Sequence, residues 1–368
     1  MQAPAKTTPA TGPHRKLFPI SGQGLAPFPL GASPVAVHKR STAVDVAQAA
    51  SATSQKPEII SFNYTPFPMR ILVLGAGAIG GYFGGRLLQA KRDVTFLVRS
   101  ARAAQLAETG LVITSPFGNV TLPHPPTTVS GAYDLVLLSC KAYDLDSAME
   151  SIAPAVGQRT TILPLLNGMR HLDVLDQRFG KERVLGGLAI AALTLDDAGR
   201  ILHLNQNQTI TFGERDGSRS ARVLAIETAL GGATFEAKLS EQIVLEMWEK
   251  WVLLATLAAE TCLMRASVGD IVAAGGAPFA TAMLAESVAI ATASGYPPRD
   301  AVRERVRGTV SAEGSTLTAS MLRDVERGSR TEAEHILGDL IRRGTGDSAL
   351  LSLAYLHLRA YEVRRARA

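Results

Sequence analysis

From Met69 onward the chain alternates short apolar runs with segments whose apolar positions recur at helical spacing. Arg70–Leu74 reads as a buried strand, Ile79–Ala90 as a helix, and Asp93–Val98, rich in Val, Thr and Phe, as a second strand. Leu111–Thr114 and Asn119–Leu122 flank the turn Ser115-Pro116-Phe117-Gly118 and predict a hairpin. Leu135–Ser139 and Thr161–Leu165 are further buried strands, each with a helix after it. Strands alternating with helices imply an α/β fold with a doubly wound parallel sheet, whose ligand sits at the strand C-termini.

Past about Ser240 the strand signals stop. Glu241–Arg265, Pro278–Ala293, Pro298–Val310, Ser315–Val325, Glu332–Arg343 and Ser348–Arg367 read as helices, several of them parted by Gly- or Pro-containing connections. The expected organisation is a doubly wound α/β domain over 69–240 and an all-helical C-terminal domain over 241–368. Residues 1–68 hold 10 of the 19 prolines and no sustained period, which predicts a flexible Pro/Ala-rich leader with little reason to pack.

Composition narrows the function classes. The net charge of +5 is concentrated in the leader, where six Lys and Arg face two Asp and Glu; residues 69–368 carry 32 against 31. The body is near neutral, so its charge is no argument for a nucleic-acid partner. Leu17–His38 lacks charge but contains four prolines and three glycines, and no stretch reads as membrane-spanning. Two cysteines, Cys140 and Cys262, cannot build a metal cage or a disulfide framework; both read as buried thiols in a reducing compartment, and no metal site is expected. The chain reads as a cytoplasmic protein, with a homodimer left open.

Gly75-Ala76-Gly77-Ala78-Ile79-Gly80 is a G-x-G-x-x-G between a predicted strand and a predicted helix, the context that gives this pattern its meaning. Gly75 permits the tight turn, Gly77 lets backbone amides approach a pyrophosphate, and Gly80 lets the helix pack on the sheet. The second strand ends in Arg99, with Arg102 nearby, where an NAD site usually places an acidic residue on the ribose. A guanidinium there suits the 2′-phosphate of NADP, so NADPH is the expected cofactor.

Three more segments place polar residues where this fold holds its ligand: Lys141 in Ser139-Cys140-Lys141-Ala142-Tyr143, Asn167 in Leu165-Leu166-Asn167-Gly168-Met169, and Lys250 in Met247-Trp248-Glu249-Lys250-Trp251. With these residues in order, the sequence from about Met69 to Arg367 resembles the ketopantoate reductases (2-dehydropantoate 2-reductases). The matching pieces are MRILVLGAGAIGGYFGGRL, CKAYD, LLNGM, WEK and SMLRDVERGSRTEAEHILG. The resemblance implies a Rossmann dinucleotide-binding domain over 69–240, a helical substrate and catalytic domain over 241–368, and NADPH-dependent reduction of ketopantoate to (R)-pantoate, a step toward pantothenate and coenzyme A. It also implies Lys250 as the general acid, Glu332 as the active-site glutamate, Ser320 as a substrate-binding serine, and Lys141 and Asn167 as contacts to both cofactor and substrate.

One departure bears on the substrate. Where the family commonly carries asparagines four and eight residues after its lysine, this chain has Leu254 and Ala258. Thr261 and Arg265 lie further along roughly the same face, and one of them is expected to replace part of the missing polar contacts, a solvated Arg265 being the alternative. Two other readings stay open: a relative acting on a different 2-oxo acid, and a non-catalytic NADP-binding sensor, for which loss of Lys250 or Glu332 would be the signature.

Overall fold

The structure, a computed structural model, describes residues 69–367; the leader expectation for residues 1–68 lies outside the described residues. The chain opens with β1 (Ile71–Leu74), α1 (Ala78–Gln89), β2 (Val94–Leu97), α2 (Ser100–Thr109), β3 (Leu111–Thr114) and β4 (Val120–Leu122). Next come β5 (Tyr133–Leu138), α3 (Leu145–Ile152), β6 (Val156–Pro164) and α4 (Arg170–Phe179). The strands β1, β2, β5 and β6 form a parallel sheet in the order β2-β1-β5-β6. Successive connections run outward in opposite directions from β1, so the strand order reverses between β1 and β5, where a doubly wound sheet opens a crevice.

Alternation along these strands sorts their side chains into two cores. Ile71, Val73, Leu135 and Leu137 pack with Tyr82, Phe83 and Leu87 of α1. Leu72, Leu74, Val136 and Leu138 face the other way, among Ile152 and Leu172, and that core continues into the helical part through Trp251, Val252, Leu351 and Leu358. One face of the sheet and the helical region therefore share a single apolar interior. Burying such side chains contributes roughly 1.5–3 kcal/mol each before the opposing chain entropy.

Between the sheet and the helices the chain builds β7 (Gly186–Ile190), β8 (Leu193–Leu195), β9 (Ile201–His203), β10 (Thr209–Gly213), α5 (Ala221–Leu230) and β11 (Glu236–Leu239). They form a three-stranded sheet in the order β11-β10-β7 and, with the predicted hairpin, a four-stranded sheet in the order β4-β3-β9-β8. These strands went unpredicted because they are three to five residues long, β7 opens on two glycines and the others interleave polar positions. From Ile243 on the elements are helical: α6 (Ile243–Met264), α7 (Val268–Ala273), α8 (Ala277–Ala293), α9 (Asp300–Val310), α10 (Ser320–Glu326), α11 (Asp339–Arg343) and α12 (Ala349–Arg365).

Two predicted helices are shorter than expected. The helix predicted over Ser315–Val325 begins only at Ser320, because the carbonyls of Ser315 and Leu317 accept the amides of Gly269 (2.8 Å) and Val268 (3.0 Å) instead of bonding along a helix. The helix predicted over Glu332–Arg343 is a π turn over Glu334–Gly338 followed by α11, leaving Glu332 in the preceding loop. No helix among the described residues is long and apolar enough to cross a membrane.

Candidate active site

A cleft of about 1520 Å³ lies at the C-terminal ends of β1 and β5 and is closed on its far side by α6, α9 and α10. Its floor is the glycine turn. Gly75 takes φ +89°, which a side chain would strain, and a Cβ on Gly80 would come within 2.2 Å of both the Gly75 carbonyl and Ser139 Oγ. Ser139 Oγ donates to the Leu74 carbonyl at 2.8 Å, tying β5 to the turn. Gly77 differs: a Cβ there would meet no protein atom within 4 Å, so its bare backbone faces open cleft. It is the N-cap of α1 without a side-chain capping bond, and the first turn closes with Gly81 N–H on the Gly77 carbonyl at 2.8 Å. The amides ahead of that bond point into the cleft with the positive end of the helix behind them, and so fit a dinucleotide pyrophosphate. Ala76, Ala78 and Ile79 line the same turn.

Two arginines flank this floor. Arg99, directly after β2, has an 80% exposed side chain and an ion pair with Asp144 at 3.2 Å. Arg102 reaches further in: its Nε donates to the Ala76 carbonyl at 3.1 Å, while its buried Nη2 has no hydrogen-bond partner among the described residues. Burial lowers the Arg102 pKa from its ordinary value.

Opposite the turn, Lys141, Asp324 and Glu332 form one cluster. Lys141 Nζ donates to Asp324 Oδ2 (3.1 Å) and Glu332 Oε2 (3.2 Å), and Glu332 Oε1 accepts the Ala142 amide at 3.0 Å. Burial by itself would lower the Lys141 pKa, but the two carboxylates outweigh it and hold the ammonium above its ordinary value. Glu332 is buried although it carries a charge-bearing group, which is tolerable because both of its oxygens are bonded.

Lys250 stands apart from this cluster. Its Nζ donates to the Ala189 carbonyl of β7 at 2.8 Å. Burial pushes its pKa down to about 8, with Glu332 acting in the opposite direction. The cleft thus contains one lysine fixed as a cation and one whose proton is easily given up. Asn167, just past β6, is half-buried on the cleft wall, and Ser320, exposed at the start of α10, sits at its rim. Of the residues expected to bind cofactor or substrate, all but Gly80 line this one cavity, and Gly80 instead packs α1 against the turn and Ser139.

Other expectations need correction. Thr261 is buried, donates to the Leu257 carbonyl at 2.6 Å and accepts the Ala319 amide at 3.3 Å, so its hydroxyl is committed to holding α6 against the start of α10. Arg265 caps α6 at φ +54° and is exposed. Neither lines the cleft and neither replaces the missing polar contacts. Leu254 does line it, whereas Ala258 is buried away from it. Cys140 is half-buried at the cleft, and burial, then Asp144, pushes its thiol up to about 12; Cys262 is buried as expected. The residue missed from sequence is Asp324, one turn after Ser320 on α10; its partner Lys141 is too distant in the chain for spacing to reveal the pair.

Comparison with known proteins agrees with this geometry. Residues 71–217 match the family described as Ketopantoate reductase PanE/ApbA, and residues 242–357 match its C-terminal family. The chain is 38% identical over 305 residues to an uncharacterized oxidoreductase, YkpB, of Bacillus subtilis, covering 81% of this chain and all of that protein. It is 28% identical to the 2-dehydropantoate 2-reductase of Mesorhizobium japonicum over 73% of this chain and 89% of that one. Among solved structures, the 2-dehydropantoate 2-reductase from Geobacter metallireducens superposes with a TM-score of 0.73 at 27% identity, over 79% of this chain and 99% of that one. A D-mandelate dehydrogenase with NADH and anilino(oxo)acetate shares the fold, with a TM-score of 0.73 at 19% identity over 81% of this chain and all of that one. Together with a glycine turn that fits a dinucleotide pyrophosphate, these matches lead to one conclusion: the chain belongs to the ketopantoate reductase PanE/ApbA family of oxidoreductases.

Proposed function

We propose that this protein reduces a 2-oxo acid to its 2-hydroxy acid with NADPH, ketopantoate to (R)-pantoate being the reaction that the family membership favours, in a cytoplasmic route toward pantothenate and coenzyme A. The observation that carries the reading is the pair of unlike lysines in one cleft, Lys141 held as a cation by Asp324 and Glu332 and Lys250 with its pKa lowered to about 8.

The backbone of Gly75–Gly80 would hold the pyrophosphate, with Arg99 and the unpartnered N–H of Arg102 directed to a 2′-phosphate. When bound, the reduced nicotinamide supplies the hydride. Lys250 would give its proton to the substrate carbonyl oxygen as charge develops there and recover one from water afterwards. An ammonium with a pKa near 8 is still mostly protonated at neutral pH yet is a stronger acid than an ordinary lysine, which favours proton transfer. Lys141 and Ser320 would bind the substrate carboxylate and polar groups, Asn167 would orient substrate against cofactor, and Glu332 would hold Lys141 in place.

A second reading has its own support. Leu253, Leu254 and Leu257 of α6 and Val302 and Val306 of α9 give the cleft an apolar wall beside Lys250, which favours a 2-oxo acid with an apolar side chain. NADPH oxidation by the full chain, supplied in turn with ketopantoate and with branched and aromatic 2-oxo acids, separates the two. Preference for ketopantoate supports the first, preference for an apolar acid supports the second, and NADPH binding without turnover of any acid overturns both in favour of a sensor.

A further inference from the structure

Lys250, Asn167 and Glu332 come from three separate segments of the chain, and one side chain lies against all three segments. Trp251, next to Lys250 on α6, is fully buried, and its indole Nε1–H donates to the Ile336 carbonyl at 2.9 Å. Ile336 sits in the π turn Glu334–Gly338, the only π-helical stretch among the described residues. A π turn is wider than an α turn and persists where something outside the helix takes up a displaced backbone group. Just ahead of that turn, the Glu332 carbonyl accepts the amides of His335 (3.0 Å) and Ile336 (2.9 Å), tying the Glu332 backbone to it. Beside it, Gly168, the neighbour of Asn167, takes φ +78°; a Cβ there would lie 2.9 Å from the His335 carbonyl and 3.7 Å from Cε2 and Nε1 of Trp251.

We propose that Trp251 is a positioning residue: by bonding the Ile336 carbonyl it fixes the π turn and thereby sets where the Glu332 carboxylate stands relative to Lys250 and Asn167. The inference rests on the functional reading above for its catalytic meaning, but its structural content can be tested without turnover. Glu332 raises the Lys250 pKa, so a Glu332 that drifts away must leave Lys250 more acidic. Glu249, the carboxylate adjacent to Lys250, does not blur this readout because Arg299 Nε and backbone N hold its Oε1 at 2.8 and 3.0 Å.

The experiment measures the pH dependence of Lys250 acylation by peptide mass spectrometry in the full chain, for wild type, Trp251→Phe and Glu332→Gln. A protein carrying the benzothienyl analogue of Trp251, which keeps the ring size and lacks the N–H, serves if Trp251→Phe folds poorly. The expected result is that loss of the indole N–H shifts the Lys250 titration to lower pH, in the same direction as Glu332→Gln, and lowers kcat about 10- to 100-fold with KM for NADPH unchanged within roughly twofold. A Lys250 titration that moves in Glu332→Gln but not on loss of the indole N–H overturns the proposal and leaves Trp251 as core packing. Should the wild type turn over no 2-oxo acid, the functional reading fails, while the labelling result still decides the role of Trp251.

Discussion

Lys250 and Ala189 are joined by a hydrogen bond of 2.8 Å, so the ammonium rests on a strand carbonyl and not on a carboxylate. A neutral acceptor positions the group without stabilising its charge as strongly as an acid would, and burial is left free to lower its pKa to about 8. Lys250→Met is expected to reduce kcat by about 10²–10⁴-fold while NADPH still binds. In the wild type kcat/KM should decline as pH rises through about 8, the protonated form being the active one. Stopped-flow turnover beside NADPH fluorescence titration checks both; an undiminished kcat in Lys250→Met would remove the proton-donor role.

The Lys141 cluster predicts a graded response. Glu332 bonds both the Lys141 ammonium and the Ala142 amide, whereas Asp324 bonds the ammonium alone. Glu332→Ala should therefore lower kcat/KM more than Asp324→Ala, by about 100-fold against about tenfold, since charged buried partners cost most when one is removed. Equal losses would show that the amide bond contributes nothing.

The proposed preference for NADPH rests on two arginines. Arg102→Ala and Arg99→Ala should each raise the KM for NADPH by roughly 10- to 100-fold and leave that for NADH within about threefold, because only NADPH carries the 2′-phosphate. The Arg102 effect should be the larger, since Arg99 is exposed and shared with Asp144. A parallel loss with both cofactors would assign these side chains to the turn itself.

Selectivity should follow Leu254. Leu254→Asn adds a polar group to the apolar wall one helical turn from Lys250 and is expected to shift the ratio of kcat/KM for ketopantoate over an apolar 2-oxo acid upward by about tenfold or more. An unchanged ratio in a competition assay would place the side chain of the substrate elsewhere in the cleft.

Stability carries its own pH signature. Glu260 is buried on α6 with no partner for either carboxylate oxygen among the described residues, and burial raises its pKa from 4.5 to about 8. The folded protein then keeps a proton that the unfolded chain releases, so this group's contribution is complete below about pH 4.5 and is lost as pH rises toward 8. Glu260→Met should flatten that decline and add on the order of 2–4 kcal/mol at pH 8. His171 works in the other direction: buried, with neither ring nitrogen partnered among the described residues, its pKa falls to about 3, so stability is lost as pH falls from about 6.5. Thermal melts across pH 4–9 would show both slopes, and a Glu260→Met profile parallel to the wild type would refute the first.

What could be read from the chain was local. The strand, glycine turn and helix over 71–89 are specified by neighbours within a few residues, and the long apolar helix after Ser240 carries its own period. What could not be read depends on partners far away in the chain. The π turn at Glu334–Gly338 exists against an indole 85 residues earlier, and Asp324 earns its place through Lys141, 183 residues before it. The late start of α10 follows from amides of Val268 and Gly269 claiming carbonyls that a helix would have used. Apolar periodicity contains no record of such claims.

The Lys141 cluster also bears on motion. Lys141 lies in the loop just past β5, while Asp324 and Glu332 belong to the helical region, so parting the walls of the cleft would mean drawing one cation away from two anions. The Lys141 side chain is 42% exposed, within reach of dissolved ions, which makes the cluster a latch that salt can loosen. Any stage of a working cycle that required the walls to part would inherit this sensitivity through the three side chains that shape the resting cleft.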